Sequence, residues 1–132
     1  MDKVVVGIIS RITNSDKTEY LLMRSIVDFG QYTGFFYPPS GHLEKGESEQ
    51  EGLIREIKEE LGITVSPTEK IVETASDVEN NCLCLWRCET ENYQLNLQTD
   101  EVAEVRWFTS EEIIKTENIW PATKKFFIEY IL

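Results

Sequence analysis

Glu56, Glu59 and Glu60 are spaced so that one α-helix would bring their carboxylates together. At about 100° per residue, Glu60 lies about 40° to one side of Glu56 and Glu59 about 60° to the other. Like charges this close repel one another by roughly a few tenths of a kcal/mol, whereas a divalent cation would turn the repulsion into attraction. The spacing therefore favours a Mg²⁺ site, and the alternative is a charged helix face that is merely solvated.

The helix that would carry these glutamates has a predicted start, end and core face. Ser48 and Glu51 have the spacing of a capping box, and Gly62 stands where a left-handed C-terminal cap belongs. Apolar side chains recur beside the carboxylates at the spacing of a core face. These side chains are Leu53, Ile54, Ile57 and Leu61. We therefore expect the carboxylates at the edge of a cleft.

Gly52 indicates a close contact on the same side of this helix. It lies about 40° from the first glutamate, and a glycine inside a helix costs roughly 1 kcal/mol relative to alanine. The loop at residues 41–47 enters the helix directly, and its glycines could bring backbone carbonyls near a metal ion. Arg55 can pair with Glu59 or with a loop acid such as Glu47.

The rest of the sequence predicts strands on both sides of this helix and two more helices. The predicted strands are residues 3–12, 19–24, 71–75, 81–89 and 102–108, with a short extended piece at 30–39. Helices are predicted to begin at Ser110 and at Pro121, the second running toward Leu132. This order predicts an α/β or α+β sandwich, and the length predicts a single domain over residues 1–132.

The composition limits the kind of partner. The sequence has 13 basic and 24 acidic residues and a net charge of −11. This balance argues against a protein that binds a long nucleic acid, because such proteins contact the backbone through a basic face. Phosphate groups would instead need local arginines or bound divalent cations.

The sequence carries no sign of a membrane span or a secretion signal. The apolar run at residues 4–10 is far shorter than the ~20 residues that cross a bilayer, and a basic start and a cleavage site are missing. Cys82, Cys84 and Cys88 would share one face of a strand and are expected to be buried free thiols. We therefore expect a cytoplasmic protein that does not bind membranes.

Residues 41–63 resemble the signature of the Nudix hydrolase family. Gly41 is followed after five residues by Glu47 and, after seven more, by the run REIKEELGI at residues 55–63. Every fixed position of the signature is matched. The resemblance implies an α/β/α sandwich with a mixed β-sheet. It also implies hydrolysis of a pyrophosphate bond in a small nucleoside-diphosphate-linked substrate, with Mg²⁺ or Mn²⁺ held by the signature helix.

The resemblance assigns metal ligands by position. Glu56, Glu59 and Glu60 would bind the ion, with the Gly41 carbonyl as a further ligand. Ser40 stands where many relatives have a glycine, so the loop geometry near the phosphates could differ.

The resemblance also implies which residues assist the reaction. Arg55 would orient a glutamate through a salt bridge, with Glu47 as its partner. The general base is open between Glu56, Glu101 and Glu104, since a glutamate just before the Trp-Phe strand serves in some relatives.

Four residues are candidates for contacting the substrate. Arg24 ends a predicted strand where similar proteins have an arginine that contacts phosphate. Phe35, Tyr37 and Trp120 could stack on a base, although aromatic residues at such positions also occur in a core or at a rim. His42, the single histidine, is expected to be a solvated neighbour of the site.

The substrate is inferred by elimination. Neither a proline typical of ADP-ribose hydrolases nor a tyrosine typical of dinucleoside polyphosphate hydrolases follows the signature at the expected interval. The chain is therefore most similar to the MutT-like branch, which implies a nucleoside triphosphate, oxidised or not, as substrate. The alternatives are ADP-ribose or another nucleoside diphosphate sugar, and a non-catalytic nucleotide-sensing module. A monomer and a homodimer are both compatible.

Overall fold

The computed structural model describes residues 2–97 and 100–132 of the chain. The strands are β1 (Asp2–Ile12), β2 (Thr18–Ser25), β3 (Ser40–His42), β4 (Ser66–Ala75), β5 (Asn81–Glu89) and β6 (Val102–Thr109). The helices are α1 (Glu49–Leu61), α2 (Ser110–Lys115) and α3 (Pro121–Phe126). A 3₁₀ turn, Gly30–Tyr32, precedes β3, and a π-helical turn, Phe127–Ile131, follows α3. Within the described residues, no helix has the length and apolar character that crossing a bilayer requires.

The six strands form one mixed sheet, as predicted. Their order is β4-β5-β1-β2-β6, with β3 also paired to β1. β1 and β5 run parallel, and the other pairs are antiparallel. One edge of β1 pairs with two strands: residues 10–12 pair with β2, and residues 4–6 pair with β3. The sheet therefore opens between the end of β2 and the start of β1, and the segment leading into β3 enters this opening.

Helices cover both faces of the sheet. Successive side chains of a strand point to opposite faces, so Val5 packs with the apolar residues of α1 whereas Val6 packs with those of α2 and α3. Gly7 lies directly under α1, where a Cβ would come within 2.8 Å of Ile57 Cδ1. The predicted α/β/α sandwich is confirmed.

α1 begins and ends where the sequence predicts. Glu51 N donates to Ser48 Oγ at 3.1 Å and Ser48 N donates to Glu51 Oε1 at 2.9 Å, which completes the capping box. Gly62 closes the helix with a φ of 71°. Ile54, in contrast, was predicted on the core face and is 39% exposed. It lies about 100° from Leu53 and thus at the margin of the buried sector.

The extended piece predicted at residues 30–39 instead begins with the 3₁₀ turn Gly30–Tyr32, and the bounds of two further predicted elements differ from the structure. β4 begins at Ser66 rather than at residue 71. Among the described strands it lies at the edge of the sheet and pairs with β5 alone, so its first half is polar and shows no apolar pattern. The last α-helix ends at Phe126 instead of running toward Leu132. The wider π-helical turn that follows allows the neighbouring Phe126 and Phe127 both to be buried.

The three cysteines are free thiols on the α1 side of the sheet, as expected. Cys84 and Cys88 are buried, and Cys82 is partly buried. Burial raises the pKa of both the Cys84 and the Cys88 thiol to about 12. These two thiols are therefore neutral and poorly reactive at physiological pH.

Candidate active site

The Glu56 carboxylate lies directly against β3. A Cβ added at Gly41 would overlap this carboxylate, because α1 crosses β3 at this point. Gly52 has the same role one turn earlier, since a Cβ there would overlap Leu43. The close approach of the loop at residues 41–47, which the position of Gly52 predicts, is therefore confirmed.

Glu60 is held protonated beside the Glu56 carboxyl group. Burial, a hydrogen bond with Glu56 and the charges of Glu56, Glu59 and Glu101 together raise the pKa of the Glu60 carboxyl to about 8. Two carboxyl groups this close cannot both ionise without a compensating charge. A divalent cation could replace this proton, and hard oxygen donors are the ligands that Mg²⁺ prefers.

Arg55 joins the loop at residues 41–47 to the glutamates of α1. Its Nε and Nη2 donate to the two carboxylate oxygens of Glu47 at 2.6 and 2.9 Å. Its Nη1 donates to Glu56 Oε1 at 3.0 Å and to Glu59 Oε2 at 3.4 Å, and Nη2 also donates to the His42 carbonyl at 3.2 Å. The planar guanidinium thus fixes the loop and orients Glu56 with one side chain.

The charge of Glu47 is stabilised by this contact. The hydrogen bonds from Arg55 and from the Glu44 amide hold the pKa of the Glu47 carboxyl at about 2. In turn, Glu47 raises the pKa of the Arg55 guanidinium. The predicted Arg55–Glu47 salt bridge is present, and both side chains are largely buried.

A small cavity of about 190 Å³ adjoins the Glu56–Glu60 pair. Its lining includes four carboxylate residues, Glu56, Glu59, Glu60 and Glu101. Glu59 is the most peripheral of the three helix glutamates, since its side chain is 58% exposed and leans toward Arg55. The structure thus brings the three predicted helix glutamates and Glu101 to one cavity.

The backbone of Glu101 is anchored to the end of β2. Its carbonyl accepts hydrogen bonds from Ser25 Oγ at 3.0 Å and from the Ile26 amide at 2.9 Å. Glu104 is differently placed, because its carboxylate accepts a hydrogen bond from Arg24 Nε at 2.8 Å. Neither Glu104 nor Arg24 lines the cavities that contain Glu56. Arg24, a predicted substrate contact, is therefore not brought to the site.

A larger cavity of about 600 Å³ continues from the carboxylates. Tyr37, Glu56 and Glu101 line both cavities. Burial and the charge of Glu60 raise the pKa of the Tyr37 hydroxyl to about 12, which keeps it protonated. The two cavities therefore form one site, with carboxylates at one side and an aromatic wall at another.

The aromatic wall consists of Phe29, Tyr37 and Trp120. The Trp120 ring lies 5.6 Å from Phe29 and 4.7 Å from Tyr32, measured between ring centroids. Tyr37 and Trp120 were predicted as substrate contacts, and Phe29 was missed because a lone aromatic in a turn-rich loop carries no spacing signal. Phe35 packs on Tyr32 at 5.5 Å and does not line the cavity.

Among the described residues, no lysine or arginine lines either cavity, and His42 is the one basic residue there. Phosphate groups bound here would face the carboxylates of Glu56 and Glu101, since Arg55 pairs with Glu56 from the loop side and does not line either cavity. A phosphorylated ligand therefore requires bound cations. The Glu56–Glu60 carboxyl pair and the oxygen donors around it fit a divalent ion of the Mg²⁺ type.

A second group of metal-ligating atoms lies outside this site. Within the described residues, one ligand atom each of Glu73, Cys82 and Cys84 lies within 4.8 Å of the others. Lys70 and Lys3 form ion pairs with Glu73, and the raised pKa of Cys84 opposes formation of a thiolate. Ammonium groups therefore already balance the charge of this group.

The NUDIX domain family matches residues 1–130, and the chain belongs to this family. The chain is similar to the NAD-capped RNA hydrolase NPY1 of Saccharomyces cerevisiae, with 31% identity over 114 residues, 82% of this chain and 29% of that protein. Its fold is similar to a MutT protein from Methanosarcina mazei Go1, with a TM-score of 0.75 and 23% identity over 97% of this chain and 91% of that one. A C. elegans Ap4A hydrolase has a TM-score of 0.70 and 25% identity, over 87% of this chain and 85% of that one.

The match to longer proteins is partial. The chain spans between 29% and 44% of the length of the first curated relatives that it matches. The names of the similar proteins refer to different substrates, so membership of the family does not select one.

Proposed function

We propose that this chain hydrolyses a pyrophosphate bond of a small nucleoside-diphosphate-linked substrate in a reaction that depends on Mg²⁺ or Mn²⁺. The observation that carries the proposal is the Glu56–Glu60 pair, which holds a proton beside a cavity whose described lining has no lysine or arginine. Such a pair is costly unless a cation binds it. The family to which the chain belongs supports the same chemistry.

In this proposal the ion is held by Glu56 and Glu60, with Glu59 and the Gly41 carbonyl as further ligands. A bound cation would supply positive charge to the phosphate oxygens and would acidify the attacking water. Arg55 keeps Glu56 oriented through the contacts that it shares with Glu47.

Glu101 is the proposed general base. It lines both cavities beside the carboxylate pair, whereas Glu104 is held by Arg24. Glu56 is the other candidate, but its carboxylate already accepts a hydrogen bond from Arg55. A carboxylate within reach of the attacking water can take its proton as the bond to phosphorus forms.

The proposed substrate is a nucleoside triphosphate, oxidised or not, which is cleaved to the monophosphate and pyrophosphate. The larger cavity of about 600 Å³ has the size of a site for one nucleoside. Tyr37 and Trp120 would stack on the base. Such a substrate also fits the predicted cytoplasmic location and a single domain that acts as a monomer or homodimer.

A substrate panel tests this proposal. The protein is incubated with Mg²⁺ and with nucleoside triphosphates, oxidised dGTP, ADP-ribose or dinucleoside polyphosphates, and the products are separated by ion-exchange chromatography. We expect the fastest turnover with a triphosphate and release of pyrophosphate. Faster cleavage of ADP-ribose or a dinucleoside polyphosphate would contradict the proposed substrate. No turnover of any compound by folded protein would contradict the enzymatic role and favour a nucleotide-sensing module.

A further inference from the structure

Asp77 closes one wall of the larger cavity. It lies in the loop between β4 and β5, and one oxygen of its carboxylate, Oδ2, accepts a hydrogen bond from the Ala122 amide at 2.8 Å. Both Asp77 and Ala122 line the cavity. This bond joins the β4–β5 loop to the start of α3, so the carboxylate is held in a fixed position at the cavity wall.

The second oxygen of this carboxylate, Oδ1, has no hydrogen-bond partner among the described residues. A carboxylate oxygen accepts hydrogen bonds and donates none when it is ionised. Asp77 therefore presents one unused acceptor at the wall of a cavity of about 600 Å³. Asp77 is an exposed residue, so this oxygen is open to water until a ligand occupies the cavity.

The other walls indicate which part of a substrate would meet this acceptor. Phe29, Tyr37 and Trp120 form the aromatic wall, and Val6 and Leu83 of the sheet add an apolar surface. A planar, largely apolar ring fits between such walls. The phosphates belong beside the metal-binding carboxylates, so the nucleoside is the part of the substrate that occupies the wall near Asp77.

We propose that Asp77 is a specificity-determining residue that accepts a hydrogen bond from the nucleoside of the substrate. The donor is a ring N–H of the base or a hydroxyl of the sugar. This inference rests on the proposed function, because it assumes that the larger cavity holds the nucleoside. The Asp77 carboxylate would disfavour nucleosides that present an acceptor at the same place, since two acceptors facing each other repel.

The Asp77→Asn substitution tests the inference. The side-chain oxygen of asparagine can still accept the Ala122 amide, whereas an NH₂ donor replaces the unused acceptor. We measure kcat and KM for inosine and adenosine triphosphates and for their 2′-deoxy forms. Inosine has an N1–H donor and a 6-carbonyl acceptor, whereas adenosine has an N1 acceptor and a 6-amino donor, so loss of a ring N–H contact lowers the inosine-to-adenosine ratio and loss of a 6-amino contact would raise it. Together these substrates separate a ring donor from a sugar donor.

If the donor is the ring N–H, the inosine-to-adenosine ratio of kcat/KM falls roughly tenfold or more in Asp77→Asn. If the donor is the sugar hydroxyl, the ribose-to-deoxyribose ratio falls by a similar factor instead. In either case the change is expected mainly in KM. A residue that acted only as a helix cap would change thermal stability and leave both ratios unchanged.

Glu79→Gln is the matched control. This substitution removes the same charge from the same loop, and Glu79 is exposed like Asp77, but Glu79 does not line the cavity. Its substitution should leave both ratios within about twofold of the wild type. If Asp77→Asn does not fold, Asp77→Ala provides the second variant, because it removes the acceptor without adding a donor, and the same ratio is expected to fall.

The outcomes separate this inference from the proposed function. Wild-type protein that cleaves no triphosphate contradicts the proposed function, and the inference is overturned with it. Active Asp77→Asn protein with unchanged ratios overturns the inference alone. A change in one ratio that Glu79→Gln reproduces assigns the effect to loop charge and also overturns the inference.

Discussion

Glu56 and Glu60 determine the behaviour of the site at the scale of single residues. Glu60 keeps its proton because burial, the hydrogen bond with Glu56 and the charges of Glu56, Glu59 and Glu101 raise its pKa. Arg55 compensates part of this charge through Glu56, but it does so at the loop side and leaves Glu60 without a cation. The site is therefore stable either with Glu60 protonated or with a metal ion bound to the pair, and these two states exclude each other.

Replacing Glu60 by glutamine removes a proposed metal ligand while keeping the shape of the side chain. We expect turnover to fall by roughly 100-fold or more, because even the groups that merely orient ligands contribute factors of about 10 to 100. Without metal, thermal stability should be unchanged at pH 7, where Glu60 is protonated, and higher above pH 8, where the like-charge contact with Glu56 is relieved. Glu111→Gln, an exposed acid on α2, is the control. Near-normal activity of Glu60→Gln would show that the assigned metal site is wrong.

The raised pKa of Glu60 predicts how stability depends on pH in the absence of metal. The folded protein holds a proton up to a pKa of about 8, whereas the unfolded chain releases it near 4.5. The free energy of unfolding in EDTA should therefore fall as pH rises from 4.5 toward 8, by up to about 1.4 kcal/mol per pH unit. Urea unfolding at several pH values measures this slope. If the free energy of unfolding has the same pH dependence in the wild type and in Glu60→Gln, Glu60 is not the group that holds this proton.

At the scale of elements, the crossing of β3 and α1 positions the carboxylates. Gly41 permits the Glu56 carboxylate to lie against the β3 backbone, and Arg55 ties the connecting loop to the helix. Tyr37 lies in the opening of the sheet between β1 and β2. There it contacts the end of β2, because Met23 N donates to the Tyr37 carbonyl at 2.8 Å. β2, β3 and α1 thus meet at one point, and the connection from β2 to β3 brings Tyr37 to it.

Gly41→Ala tests the contact between β3 and α1. The added methyl group would displace the Glu56 carboxylate, so we expect turnover to fall roughly 10-fold to 100-fold and half-maximal activity to need more Mg²⁺. Both are measured by titrating Mg²⁺ at saturating substrate. In a Glu56→Gln background the same substitution should add little, because the two residues act through one contact. Independent, additive losses would contradict this account.

The sequence predicted the elements whose signals are local. α1 was predictable because Ser48, Glu51 and Gly62 mark its ends and a regular apolar face lies between them. The first half of β4 was missed because an edge strand is polar on its exposed side, and Phe29 was missed because its position depends on loop geometry. Arg24 was assigned to phosphate, yet it pairs with Glu104, 80 residues away, a contact that only the pairing of β2 with β6 creates.

At the scale of the whole molecule, the charge of the chain opposes its proposed ligand. The net charge is −11, and the described lining of both cavities has neither lysine nor arginine. An anionic nucleotide therefore approaches against the long-range field of the protein. Local cations have to overcome this repulsion at the site itself.

This charge balance predicts an unusual response to salt. At saturating Mg²⁺, raising the KCl concentration from 20 to 200 mM should increase kcat/KM by about twofold to threefold, because salt screens the repulsion between substrate and protein. A site that bound phosphate through basic side chains would respond in the opposite direction. Initial rates at low substrate concentration over this range measure the effect, and a decrease in kcat/KM would contradict the electrostatic account.

The rate of product formation as a function of Mg²⁺ concentration tests the central claim most directly. A nucleoside triphosphate is incubated with the protein in EDTA and at increasing Mg²⁺, and the monophosphate and pyrophosphate are measured together. We predict no product in EDTA, a saturable rise with Mg²⁺ that yields both products in equal amounts, and a flat response for Glu56→Gln and Glu60→Gln. Product formation in EDTA, or equal Mg²⁺ responses of the wild type and both variants, would contradict a metal-dependent hydrolase centred on this carboxyl pair.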